Sequence, residues 1–358
     1  MDKEVGFVMS KKTAIVVGAT GIIGSYLLDH LSKLDDWNVK GIARNIPRKH
    51  PERYISMDLL DARGVKEKFH TLGDVTHIFY AAYQDYPSLT KEQIEVNTSM
   101  LENIVKAAEE SSDALERVVL MQGAKVYGAH LGKFKTPAKE SDPRHLPPNF
   151  YYNQEDFLRE HQKGKSWSWT ILRPDLVAGI SIGNPMSIAM VIAVYASISK
   201  ELDLPLRFPG KEGAYHALVQ VTDAELLARA SVWAAVQSHT ALEVFNITNG
   251  DLFRWEQLWP KFAAYFDMDY APVQTISLSE MMPLQKDTWN TMVEKYRLQP
   301  VPYTKAAAWP FGDFIFGSEY DVISDTTKIK QYGFHEVIDS EKRFLELFDE
   351  FKNEKLIP

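Results

Sequence analysis

The chain has 358 residues, 45% of them hydrophobic, and a formal net charge of −8, which is the composition of a globular protein with a sizeable core. This acidity argues against a nucleic-acid surface, which needs clustered lysine and arginine. Because there are no cysteines, disulfides, thiolate catalysis and cysteine-ligated zinc are excluded, and the ten histidines show no metal-ligand spacing, so no metal site is predicted.

The N-terminal segment does not resemble a signal peptide, because it carries charge and lacks a long apolar core. We interpret residues 1–11 as an N-terminal tail. The longest apolar run, 185–198, has about 14 residues, whereas a bilayer crossing needs ~20. We therefore expect a cytoplasmic protein that does not bind membranes. The sequence leaves open whether this run buries against its own domain or against a second copy in a homodimer.

The first predicted unit is a strand, a glycine-rich turn and a helix. An apolar β-branched run at 14–17 predicts a buried strand, and an amphipathic helix follows it. Glycine at every third position of the turn lets the backbone approach a pyrophosphate and leaves free N–H groups at the helix start. A glycine triplet alone is a weak signal, but its place after a first strand favours a dinucleotide site. The candidate cofactor residues here are Gly18, Thr20, Gly21, Ile22, Ile23 and Gly24.

The ends of the next two predicted strands carry candidate contacts for the adenosine half of a dinucleotide. An acidic residue after the second strand binds the ribose 2′-hydroxyl of NAD, whereas arginine accommodates the 2′-phosphate of NADP. Arg44 stands there and favours NADP, although Asn45 rather than a second basic residue follows it. Asp58 and Leu59, after the third strand, are candidate cofactor contacts. The alternative for Asp58 is a capping role.

Strands and helices continue to alternate through the first half of the chain. Further strands are predicted at 75–82, 118–121 and 170–172, and the last is expected to break at Arg173 and Pro174. This alternation predicts an α/β fold with a doubly wound parallel sheet of the Rossmann type, which binds ligands at the carboxyl ends of its strands.

Regular alternation fades from residue 180, and aromatic residues become dense. We expect the NADP-binding Rossmann domain to span residues 12–179, with residues 216–249 returning to it. Residues 180–215 and 250–358 are then expected to form a smaller substrate-binding cap that is interleaved with the main domain.

Two stretches after the fifth strand carry the candidate chemistry. In the short-chain dehydrogenase/reductase superfamily, which the chain resembles from its glycine turn onward, a catalytic tyrosine is followed four residues later by lysine on the same helical face. That pattern fails here, because Glu155 follows Tyr151 and Asp156 follows Tyr152. Gly123 also stands where extended members carry serine or threonine.

A lysine lies instead in the loop after the fifth strand. From this loop, the ammonium of Lys125 can approach a nicotinamide ribose and a tyrosine on the next helix. Adjacent helical residues point about 100° apart, so at most one of Tyr151 and Tyr152 can face a cofactor. The alternatives are a solvated loop lysine and tyrosines that only pack in the core.

Seven stretches share one resemblance: GATGIIG, VTHIFYAAY, LMQGAKVYG, NFYYNQED, RPDLVAG, FNITNGDLFRWEQLW and WPFGDFIFG. Together they resemble the progesterone 5β-reductase/iridoid synthase family, an atypical branch of the extended short-chain reductases. The resemblance implies that Lys125 and Tyr151 are catalytic and that NADPH is used to reduce the C=C bond of an activated enone or enal. It also implies that the backbone of Val177 holds the nicotinamide carboxamide and that Tyr83 and Phe311 line the substrate pocket, with packing as the alternative.

The residues suit that chemistry, because a hydride added to the β-carbon leaves negative charge on the carbonyl oxygen, to which Tyr151 would donate a hydrogen bond with help from Lys125. Two alternatives stay open. The first, a carbonyl reductase or sugar-nucleotide epimerase, is disfavoured by Gly123 and the missing Tyr-x-x-x-Lys pair, since those reactions need direct proton transfer to an alkoxide. The second, a cofactor-sensing regulator without turnover, is disfavoured by the presence of both Lys125 and Tyr151. The expected partner is a small-molecule enone or enal.

Overall fold

The computed structural model describes residues 11–86, 90–180 and 186–358. The strands are β1 (Lys12–Val17), β2 (Trp37–Ala43), β3 (Tyr54–Ser56), β4 (His77–Tyr80), β5 (Arg117–Met121), β6 (Ser168–Pro174), β7 (Leu176–Ala178), β8 (Leu206–Arg207), β9 (Val221–Asp223), β10 (Glu243–Ile247) and β11 (Tyr270–Ala271). The α-helices are α1 (Ile22–Leu31), α2 (Ala62–Phe69), α3 (Lys91–Ser111), α4 (Phe150–His161), α5 (Ile188–Glu201), α6 (Glu212–His216), α7 (Ala224–Val236), α8 (Trp255–Tyr265), α9 (Leu278–Met281), α10 (Lys286–Tyr296), α11 (Tyr303–Ala306), α12 (Trp309–Phe316), α13 (Thr327–Gln331) and α14 (Ser340–Asn353).

Seven strands form one parallel sheet in the order β10-β6-β5-β4-β1-β2-β3. Because β1 lies between β2 and β4, the strand order reverses between β1 and β4. Sheets of this kind bind ligands in the crevice outside the strand ends at such a reversal. The predicted doubly wound α/β fold of the Rossmann type is therefore confirmed.

Apolar layers cover both faces of this sheet. On one face, α1 and α7 pack with Leu27, Leu28 and Leu226, and on the other, α2 and α3 pack with Phe69 and Leu101. Strands β1 and β5 are covered on both faces, which is why their sequences are nearly continuous apolar runs.

The sixth strand is longer than the sequence predicted, because it continues through Arg173 and Pro174 instead of breaking there. Strand β5 stops at Met121, opposite Leu172, so Pro174 pairs only with Ile247 of β10. Proline lacks an N–H group and is tolerated where the strand ends and one ladder is already finished.

The second half of the chain forms the cap and also packs against the seven-stranded sheet. Residues 217–223 do not join the large sheet, since β9 pairs with β7 in a separate two-stranded sheet. Helix α13 packs against β10, and the Phe334 ring that follows it contacts Trp233 of α7, with centroids 5.5 Å apart. Part of 250–358 therefore packs on the large sheet instead of belonging to the cap. The domain limits expected from the sequence stay a prediction.

The cap has its own aromatic core. Helix α5 is buried along nearly its whole length and packs against a cluster that contains Trp255, Trp259 and Phe316. The rings meet edge to face, with centroids 5.4 to 6.3 Å apart, a geometry that aromatic pairs prefer. From Ser187 onward the apolar run at 185–198 is thus buried within its own chain, except for a partly buried Tyr195, whereas Met186 is exposed. Pro185 lies outside the described residues.

Neither a membrane span nor a metal cluster occurs in the part of the chain that the structure describes. Within that part, no helix combines the length and apolarity needed to cross a bilayer. Nor do any three His, Asp or Glu side chains in the described ranges lie together in a way that could hold a metal ion. The expected tail at residues 1–11 lies outside the described residues apart from Lys11.

Candidate functional site

A cavity of about 1160 Å³ lies at the carboxyl ends of the strands, with residues of α12 on its cap side. Typical ligand pockets have ~300 to 1,000 Å³, so this cavity has room for a large ligand. All but one of the sequence-predicted site residues line it: Gly18, Thr20, Gly21, Ile22, Ile23, Arg44, Asp58, Leu59, Tyr83, Lys125, Tyr151, Val177 and Phe311.

The glycine turn owes its shape to two close backbone contacts. Gly18 has a φ of +82°, and a Cβ on it would lie 2.8 Å from backbone atoms of Ala81. Gly24 is the predicted residue that does not line the cavity. A Cβ on Gly24 would lie 2.3 Å from the carbonyl oxygen of Gly18, so this glycine allows α1 to pack against the turn instead of contacting a ligand.

The start of α1 is open to an anion. Gly21 is its N-cap and offers no side chain to cap the helix, and the first turn contains no acidic residue. Uncapped N–H groups and the helix dipole together favour a negatively charged ligand at this end.

Arg44 and Asp58 line the next part of the cavity. The Arg44 carbonyl accepts a hydrogen bond from Ser56 Oγ at 3.0 Å, and its exposed guanidinium has no ion-pair partner among the described residues. Asp58 Oδ1 accepts from the Leu60 N–H at 3.0 Å. Asp58 therefore both lines the cavity and caps the turn that follows it, the role that the sequence left as an alternative.

Asn149 joins the two candidate catalytic segments. Its side-chain oxygen accepts from the Tyr151 N–H at 3.1 Å and caps α4. Its side-chain amide donates to the Lys125 carbonyl at 2.9 Å. The loop after β5 is therefore fixed to the first turn of the helix that carries Tyr151.

The two adjacent tyrosines have different surroundings. Tyr152 is buried, and its hydroxyl donates to the Val126 carbonyl at 2.7 Å and accepts from the His145 N–H at 2.8 Å. Tyr151 lines the cavity, and its ring packs on Phe150 with centroids 4.3 Å apart. Burial raises the pKa of Tyr151 to about 12. Its hydroxyl is therefore a protonated hydrogen-bond donor at neutral pH.

Gly123 lies directly beside this hydroxyl. A Cβ on Gly123 would be 3.9 Å from Tyr151 Oη and 3.4 Å from the Pro174 carbonyl oxygen. The backbone at Gly123 is extended, with a φ of 179°, so residues other than glycine can adopt it. The serine or threonine of ordinary reductases is thus absent from a place that has room for it.

Lys125 brings a cation to the same cavity. Its side chain is exposed to the cavity and forms no salt bridge with any described residue. Desolvation lowers the pKa of Lys125, and the nearby Asp85 carboxylate opposes this shift. Asp85 also accepts from Tyr83 Oη at 2.6 Å, and the Tyr83 ring stacks on Phe150 with centroids 5.4 Å apart.

Other polar residues line the cavity without a signal in the sequence. Asp175, between β6 and β7, is buried, and desolvation raises its pKa to about 7. Burial also lowers the pKa of His130. Gln122 and Gln220 are buried and line the cavity as well. Gln122 and Asp175 lie within two of the stretches that carry the family resemblance, but neither their spacing nor their residue type indicated a role at the site.

Comparisons with known proteins agree on one family. The model of the PRISE-like Rossmann-fold domain matches residues 56–358. The 3-oxo-Delta(4,5)-steroid 5-beta-reductase of Arabidopsis thaliana is 35% identical over 372 residues, which cover 97% of this chain and 94% of that protein. The (S)-8-oxocitronellyl enol synthase of Catharanthus roseus is 34% identical over 377 residues, which cover 100% of this chain and 95% of that protein.

The solved structures support the fold. The UDP-glucose 4-epimerase of Thermotoga maritima aligns with a TM-score of 0.69 at 16% identity, over 95% of this chain and 99% of that chain. At this identity the likeness concerns the architecture alone, whereas the relatives above share sequence along nearly their whole length. The chain therefore belongs to the PRISE family, the progesterone 5β-reductase/iridoid synthase family that its motifs resemble.

Proposed function

We propose that this protein uses NADPH to reduce the C=C bond of enones or enals by 1,4-addition of hydride. The observation that carries the proposal is the protonated Tyr151 hydroxyl at the cavity wall beside Gly123, with the Lys125 loop fixed to the same helix turn. The names of two relatives, a 3-oxo-Delta(4,5)-steroid 5-beta-reductase and an 8-oxocitronellyl enol synthase, support this reaction class.

The residues present fit NADPH. The open start of α1 suits a pyrophosphate, and the guanidinium of Arg44 suits the 2′-phosphate. Val177 lies in β7, where it pairs with Thr222 of β9. Its backbone would hold the nicotinamide carboxamide. When bound, NADPH supplies the hydride that adds to the β-carbon of the substrate.

Tyr151 would donate a hydrogen bond to the substrate carbonyl oxygen, where negative charge develops as the enolate forms. Lys125 would stabilise the electron-rich tyrosine and orient the nicotinamide ribose. Such a donor has to stabilise the oxygen rather than protonate it completely, so the hydroxyl missing at Gly123 is not required. Tyr83 and Phe311 would form apolar walls around the substrate.

The test is to mix the protein with NADPH and a panel of small and steroidal enones and to identify the products by mass and NMR. Saturated ketones would support the proposal. Allylic alcohols would indicate carbonyl reduction, as in a carbonyl reductase of the extended superfamily. Tight NADPH binding without turnover of any enone would contradict the proposal and favour a cofactor sensor.

Arg44→Glu is expected to weaken NADPH binding while leaving NADH binding unchanged or stronger. A hydrogen bond to a charged group contributes ~1.5 to 3 kcal/mol, so the dissociation constant for NADPH should rise by about 10- to 100-fold. Fluorescence titration of both cofactors measures the effect. Arg48→Glu is the matched control, because Arg48 is exposed and does not line the cavity. Equal losses in the two variants would contradict the assignment of Arg44.

The pH profile should reflect Lys125 rather than Tyr151. With its pKa raised to about 12, Tyr151 keeps its proton over the working range. The pKa of Lys125 is lowered, so its ammonium loses charge first as the pH rises, and kcat should fall on the alkaline side. Lys125→Arg keeps the positive charge and should move this fall to higher pH. A kcat that increases with pH would instead indicate an ionised tyrosine that acts as a base.

A further inference from the structure

Glu155 stands four residues after Tyr151, where ordinary short-chain reductases carry lysine, and it serves a different purpose here. Its side chain is buried, and Oε2 lies 3.0 Å from Nη2 of Arg173. Its other oxygen accepts from Arg159 Nε at 2.9 Å. The carboxylate is therefore held between α4 and β6, and the guanidinium of Arg173 in β6 compensates its charge.

Arg173 also reaches the loop that carries Lys125. Its Nε donates to Gln122 Oε1 at 2.9 Å, and its Nη1 donates to Tyr127 Oη at 3.1 Å. Gln122 and Tyr127 flank Lys125 on either side, so this guanidinium holds both ends of the lysine loop. The Tyr127 hydroxyl in turn donates to Asn246 Oδ1 at 2.6 Å, which ties the loop to β10.

Gln122 also connects Arg173 to Tyr151 through a second hydrogen bond. Its Nε2 donates to the Tyr151 carbonyl oxygen at 3.0 Å. The side chains of Gln122, Glu155 and Arg173 are all buried, and charge-assisted hydrogen bonds in a low-dielectric interior are strong and geometrically specific. One guanidinium thus connects the helix of Tyr151 to the loop of Lys125.

We propose that Gln122, Glu155 and Arg173 are positioning residues, which hold the Tyr151 hydroxyl and the Lys125 ammonium at the spacing that reduction requires. The proposal rests on the proposed function, because it assumes that these two groups serve the reaction. Errors of ~1 Å in the placement of reacting groups can lower rates by about 10²-fold. In this chain, the place of the missing catalytic lysine on α4 is taken by an acid that positions the tyrosine.

Gln122→Leu removes both side-chain hydrogen bonds of Gln122 without changing any charge. We expect kcat to fall by about 10- to 100-fold while the dissociation constant for NADPH stays unchanged, since the glycine turn and Arg44 are untouched. In a Tyr151→Phe background, the same change should lower kcat by less than about twofold, because it acts through a hydroxyl that is no longer present.

Thr170→Val is the matched control. Thr170 is fully buried, and its hydroxyl accepts from Nη1 of a different arginine, Arg117, at 2.8 Å at the opposite end of β5. This variant should lose stability and keep kcat. At Glu155, substitution by glutamine keeps an acceptor for Arg173 and should preserve more activity than substitution by leucine.

A readout independent of turnover is the NMR signal of the Tyr151 ring in protein with ¹³C-labelled tyrosine, assigned by its absence in Tyr151→Phe. This signal should shift in Gln122→Leu and stay in place in Thr170→Val. An unchanged signal, or an equal loss of kcat in both backgrounds, would overturn the positioning role. If the wild-type protein reduced no enone, the proposed function would fail, and the NMR comparison would still decide the positioning role.

Discussion

Replacement of Tyr151 by phenylalanine is expected to lower kcat for enone reduction by about 10²- to 10³-fold, the usual loss when one donor to a developing oxyanion is removed. The reason is that its raised pKa, about 12, makes the hydroxyl a neutral donor at the cavity wall. NADPH binding should persist, because the residues assigned to the cofactor lie elsewhere in the cavity. Steady-state kinetics with a turned-over enone, together with NADPH titration, measure both quantities.

The neighbouring tyrosine is a closely matched control for this variant. Tyr152→Phe also removes one phenolic hydroxyl from the first turn of α4, but that hydroxyl bonds the Val126 carbonyl and the His145 N–H. It should cost about 1 kcal/mol of stability and lower kcat much less than Tyr151→Phe does, since it only loosens the loop beside Lys125. Full activity in Tyr151→Phe, or the same loss in both variants, would exclude Tyr151 as the oxyanion donor.

Substitution of Gly18 by alanine is expected to destabilise the fold by about 2 to 5 kcal/mol and to weaken NADPH binding. At φ +82° a side chain is strained, and the added Cβ would lie 2.8 Å from backbone atoms of Ala81 and Ala82. These atoms follow the central strand β4, so they cannot move without disturbing the sheet. Urea denaturation and NADPH titration of the variant measure the two effects.

A Gly73→Ala variant distinguishes the effect of backbone strain from the effect of steric conflict. Gly73 has a similar φ of +72°, but a Cβ on it would meet nothing within 4 Å. Gly73→Ala should therefore cost only the ~1 to 2 kcal/mol of the left-handed conformation and should leave NADPH binding intact. If both alanine variants lost the same stability, contact with the strand end would not be the reason for glycine at position 18.

The local patterns of the sequence determined the fold class and the family. Buried strands of a parallel sheet are apolar on both faces, and the glycine turn and the Asn149 cap depend on residues a few positions apart, so each can be recognised in a short window. The length of β6 could not be predicted in this way. Its extension through Pro174 depends on where the neighbouring strand β5 ends.

Thirteen of the fourteen site residues proposed from the sequence line the cavity, although their roles stay predictions, and the exception is informative. Gly24 belongs to the glycine pattern, but its contact is with the backbone of Gly18. A repeated glycine indicates that a side chain is excluded. Only the packed structure shows whether a ligand or another backbone segment excludes it.

What the tertiary structure alone decided is how the departures from the usual reductase pattern fit together. Sequence comparison shows that lysine is missing after Tyr151, but not that Glu155 there pairs with Arg173, 18 residues away, or that Arg173 bonds Gln122, 51 residues away. Such contacts depend on which strands lie side by side and which helix face meets them. Side-chain periodicity within one helix or strand does not show which elements become neighbours. The neighbours are determined by how the whole sheet is buried between its helices.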